Sequence, residues 1–69
     1  MYEWLITEYD LLQACYAPIC KRKWVVTRWK HSDQGWKEYG KVHRFATFDE
    51  ARDYCVKIMR KERHKLKVL

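Results

Sequence analysis

FATFDEARDYC, Phe45 to Cys55, decides the fold, because one side-chain period ends in it and another begins. From Trp36 to Phe45 the chain alternates: Trp36, Glu38, Gly40, Val42 and Arg44 against Lys37, Tyr39, Lys41, His43 and Phe45. That is the period of a strand. After Thr47 the apolar positions step by three and four. Phe48, Ala51, Cys55, Ile58, Glu62 and Leu66 form a stripe that is apolar but for one residue, widened by Tyr54 and Met59. Thr47 and Glu50 have the spacing of a capping box, in which hydroxyl and carboxylate each take an orphan N–H. Asp49 and Glu50 lie at the positive end of the helix dipole. The stripe predicts a helix packed on one face of a sheet.

Upstream, Lys23 to Trp29 is the clearest strand. Trp24, Val26 and Arg28 share one face, and Val25, Thr27 and Trp29 the other. One of these faces must be core, and the other then carries an exposed aromatic. His31-Ser32-Asp33-Gln34-Gly35 between the two runs predicts a five-residue turn of a β-hairpin. Gly40 marks a bulge or a close approach. Trp4 to Tyr9 reads as a strand or strand-like arm. Asp10 to Tyr16 reads either as one or two helical turns capped by Asp10 or as an extended continuation, ended by Ala17-Pro18. The fold class is α+β: a small three-stranded antiparallel sheet packed against one C-terminal α-helix. Residues 1–69 form a single small domain, with an N-terminal strand 3–9, a β-hairpin 22–45 and a helix 47–65.

With 69 residues the chain buries only about 60% of its unfolded surface. A domain of this size needs a dense core, a staple or a partner. Four Trp, five Tyr and two Phe supply the core. They offer more apolar surface than one sheet and one helix can cover, so some is left for a binding surface or a second copy. The N-terminal strand could also add to a neighbour's edge and form a homodimer. Met1 is followed by an acidic, aromatic segment, with neither the basic start nor the apolar run of a secretory signal, and nothing approaches a membrane span. The expected location is the cytoplasm, with three reduced cysteines.

Lys and Arg number 15 against 9 Asp and Glu, a net charge of +6. Such a balance favours anions, nucleic acid first. On the hairpin, basic residues interleave with aromatics: Arg22, Trp24, Arg28, Trp29, Lys37, Tyr39 and Lys41. A two-stranded ribbon of this kind can neutralise phosphates with Lys and Arg and stack bases on Trp and Tyr. Lys57 to Lys67 adds Arg60, Lys61 and Lys65 among its cations, at the end of a helix that favours positive charge.

A Trp-bearing strand, a turn, a second strand and then RFATFDEARDYC resemble the AP2-like and integrase arm-type DNA-binding domains. The matching residues are Phe45, Thr47, Glu50 and Ala51, and the resemblance covers roughly residues 22 to 62. It implies a three-stranded sheet against one helix. It also implies DNA read by the sheet face, through Arg22, Trp24, Arg28, Trp29, Lys37 and Lys41. The expected function is therefore a small basic, non-enzymatic nucleic-acid-binding protein, DNA before RNA, similar to the compact proteins of phages and mobile elements. The alternative is a phage-type inhibitor or regulator that binds a larger, acidic host protein through Trp4, Trp29, Trp36 and Tyr39.

Cys15 and Cys20 form the one short pair a metal could use, and a zinc site needs two such pairs. No metal or other cofactor is expected. Cys55 falls on the helix stripe as a small core residue. No nucleophile elbow, H-E-x-x-H or phosphate loop is present, so no catalytic residue is assigned.

Overall fold

The computed structural model describes residues 1–68, the last two by their backbone alone. Four strands precede one helix: β1 (Tyr2–Thr7), β2 (Asp10–Tyr16), β3 (Trp24–Ser32), β4 (Gly35–Phe45) and α1 (Phe48–Val68). The strands pair in chain order, each antiparallel to the next. The sheet thus has four strands, not three. Asp10–Tyr16, which the sequence left between helix and extended chain, is an interior strand. Between β1 and β3, Leu11 and Leu12 point to opposite faces and are both buried, and the run loses the alternation that would mark a strand. Asp10 caps no helix; its carboxylate holds Arg28 of β3 instead.

The β3–β4 connection is tighter than five residues. His31 and Ser32 stay in the strand, and Ser32 pairs with Gly35. Among the described residues only Gly35 and Gly40 have positive φ, so Asp33 and Gln34 do not form a primed turn. A turn with negative φ followed by a left-handed glycine suits Gly35 at φ 97°. Gly40, at φ 72°, sits in a bulge. Val26 pairs with His43 and Arg28 with Tyr39, so Gly40, Lys41 and Val42 face Thr27 alone.

The helix covers one face of the sheet. Ile6, Leu12, Ala14 and Val26 meet Ala51 and Cys55 in the core, walled by Trp4, Trp24, Phe45, Tyr54, Ile58 and Met59. At the start of α1, Phe48 packs on Tyr2 (ring centroids 4.6 Å apart) and on Trp24 (5.0 Å). Thr47 caps the helix: its Oγ1 accepts the Glu50 N–H at 3.3 Å. Towards the other end, Arg63 donates to the β1 carbonyls of Leu5 (2.6 Å) and Ile6 (3.4 Å). The helix is fastened at both ends. No described helix is long and apolar enough to cross a membrane.

Candidate nucleic-acid interface

Strand register divides the proposed hairpin residues between two faces. Cross-strand partners share a face, so Leu12, Arg28 and Tyr39 lie on the helix side, as do Asp10, Lys30 and Lys37. Leu5, Leu11, Trp29 and Glu38 lie on the open side. Trp24 is on the helix side and is part of the core wall. Arg22 is exposed in the β2–β3 loop. The set Arg22, Trp24, Arg28, Trp29, Lys37 and Lys41 therefore forms no common surface. Among the described residues, Arg44 is the one Lys or Arg on the strand positions of the open face.

A different grouping appears beside the helix. A groove of about 150 Å³ runs between α1 and β4. Tyr39, Gly40, Lys41 and His43 line its β4 wall, Tyr54, Ile58 and Glu62 its helix wall, and Leu12, Val26 and Arg28 its floor. Three residues after each helix lining residue comes a lysine: Lys57, Lys61 and Lys65. Residues three and four apart share a helix face, so these lysines form one ridge along the groove's outer rim. All three are exposed, and so are Lys41 on the opposite wall and Lys37 nearer the turn. The Tyr39 ring, half exposed, carries Lys30 Nζ 4.0 Å from its centroid and Arg28 Cζ at 5.4 Å. His43 packs on Tyr54, with ring centroids 4.7 Å apart. Burial pushes the Tyr54 phenol above its ordinary range. Arg60 is exposed on the outer side of the helix.

Arg28 has a structural occupation. Its Nε and Nη2 donate to the two carboxylate oxygens of Asp10 at 2.9 and 2.6 Å, and Nη1 lies 3.7 Å from Glu62. The bond to Asp10 holds the guanidinium above its ordinary pKa. With both neighbours acidic, Arg28 leaves the groove floor no surplus positive charge. The surplus comes from the rims.

Thus Arg28, Tyr39 and Lys41, three of the residues assigned from the sequence, meet in the groove, with Lys61 and Lys65 on its outer rim, while Lys37 lies further along the same face and its Nζ donates to Gln34 in the turn. Lys57, His43 and Tyr54 complete it. Lys57 was legible: the spacing 57, 61, 65 is a helix-face signal in the sequence. The pairing of that ridge with β4 was not, because it depends on which hairpin face the helix covers. Among the described residues no cluster of three His, Cys, Asp or Glu could hold a metal ion. No protein-family model, curated protein or solved structure matches this chain.

Proposed function

We propose that this is a nucleic-acid-binding module, DNA before RNA, and that it binds along the groove between α1 and β4 rather than across the sheet. The observation that carries this reading is the lysine ridge Lys57, Lys61 and Lys65 across the groove from Lys41, with the half-exposed Tyr39 ring in the groove wall and Lys37 further along the same face of β4. The ridge spans about 12 Å of helix. Two rows of cations can follow a phosphate backbone on either side, and Tyr39 and His43 offer ring faces to sugars or unpaired bases. The groove is small beside the roughly 300–1,000 Å³ of pockets that enclose a small molecule, which favours a surface track over an enclosed substrate.

The test is fluorescence anisotropy with labelled duplex DNA, single-stranded DNA and RNA, at low and near-physiological salt. Binding to at least one, weakening steeply as salt rises, is the expected result, because bound phosphates release counterions. No binding at low salt to any of the three rejects the proposal.

A further inference from the structure

The open face of the sheet has a composition unlike the rest of the chain. Leu5 (53% exposed) and Trp36 (43%) stand on it with Val25 and Trp29. A shallow hollow lies between Trp29 and Trp36, over Leu11 and Gln13. In a chain of net charge +6, its strand positions carry Arg44 against Glu3 and Glu38. An apolar centre depleted of charge is the mark of a protein interface, not of a phosphate-binding surface.

Both edges of the sheet are interrupted. Arg63 occupies the β1 carbonyls of Leu5 and Ile6. The bulge at Gly40–Val42, with Lys41 within it, breaks the outer edge of β4. The face remains.

We propose that the open face is the interface between two copies of this chain, packed sheet to sheet with both helices outward. Size permits it. Four strands about 4.8 Å apart and seven residues from Val25 to His31 give a flat footprint of about 400 Å² per copy. Side-chain relief brings the total accessible area buried to about 1,000 Å², the lower bound for a specific interface. Charge permits it too. Sheets packed face to face lie about 10 Å apart, and each helix is roughly 10 Å further out. The lysine ridges then stand about 30 Å apart, three Debye lengths at 0.1 M salt, so they scarcely repel one another. A two-fold axis parallel to the strands lays β1 of one copy over β4 of the other. Glu3 then comes one same-face step from Arg44 of the second copy, a pairing of opposite charges. The result is a dimer with a nucleic-acid groove on each outer side. The interface does not depend on those grooves.

Sedimentation velocity of the full chain under reducing conditions, without nucleic acid, tests this over a wide concentration range. The expected result is conversion from 8.6 kDa to twice that mass, with little change on raising salt. Trp36→Glu and Leu5→Lys, both at exposed positions, should each weaken dimerisation at least about tenfold while circular dichroism shows an intact fold. Lys57→Gln/Lys61→Gln/Lys65→Gln should dimerise like the wild type. A wild-type chain that is monomeric throughout overturns the proposal, whether or not it docks on another protein through Trp36. So does a dimer unaffected by either face variant, or an assembly larger than two.

Discussion

Arg28 sits between Asp10, at 2.6 Å, and Glu62, at 3.7 Å, with its side chain 18% exposed. A bidentate pair this well covered joins β2 to β3 and the sheet to the helix. Removing the guanidinium leaves the Asp10 carboxylate, and Glu62 on the groove's helix wall, without their cation. Arg28→Ala should therefore destabilise the fold by about 2–3 kcal/mol in urea unfolding. The slope of nucleic-acid affinity against salt, measured on the folded fraction, should stay unchanged. A reduced slope with unaltered stability would make Arg28 a phosphate ligand instead. Cys55, fully buried, gives a second test at this scale. Burial pushes its thiol up to about 11 from an ordinary 9.0. A pKa raised by folding means that the folded state holds the proton longer. The contribution of Cys55 is therefore complete below pH 9 and falls by up to about 3 kcal/mol as pH climbs through 9 to 11. The stability gap between the wild type and Cys55→Ala should narrow across that window, as read by denaturant titration at each pH. Below it, a thiol reagent should label Cys15 and Cys20, both partly exposed, and spare Cys55. A gap that stays constant to pH 11 would contradict the burial argument.

Among the elements, the helix and the hairpin were legible because each keeps one period over many residues. Thr47 is the cap the sequence announced, although the box is half made: among the described residues its hydroxyl takes the Glu50 N–H, and no bond returns from the Glu50 carboxylate. Thr47→Ala should lower the unfolding free energy by about 1 kcal/mol in thermal melts. Gly40 was legible as a break in the strand. A Cβ there meets no atom within 4 Å, so the cost of Gly40→Ala is the positive φ alone. About 1–2 kcal/mol is expected in thermal unfolding, and a neutral change would mean that the bulge can relax. The Asp10–Tyr16 strand was hidden for a physical reason. An interior strand is apolar on both faces, and a leading Asp looks like a helix cap until its partner, eighteen residues on, is known. The turn was read too long because polar His31 and Ser32 are paired across the hairpin all the same.

For the whole molecule, the hard question was which hairpin face is core. Both faces of β3 carry a tryptophan and a valine, so the local pattern does not choose between them. The choice falls to distant residues: Asp10 and Glu62 claim Arg28, and the helix stripe claims Val26. Once that face is covered, the basic residues that looked like a ribbon separate. Those of β4 join the helix ridge, and the far side of the sheet is left almost without cations. Position of charge, rather than its sum, is thus the central claim, and a matched pair of variants isolates it. Salt-dependent anisotropy with labelled DNA would compare Lys57→Gln/Lys61→Gln/Lys65→Gln with Lys21→Gln/Arg22→Gln/Lys23→Gln, which removes the same three charges from the β2–β3 loop. The groove reading predicts that the helix variant lowers the salt slope by about 0.7–0.9 for each phosphate it no longer neutralises and that the loop variant nearly keeps it. Equal reductions in both would contradict it, and would reduce the binding to net charge alone.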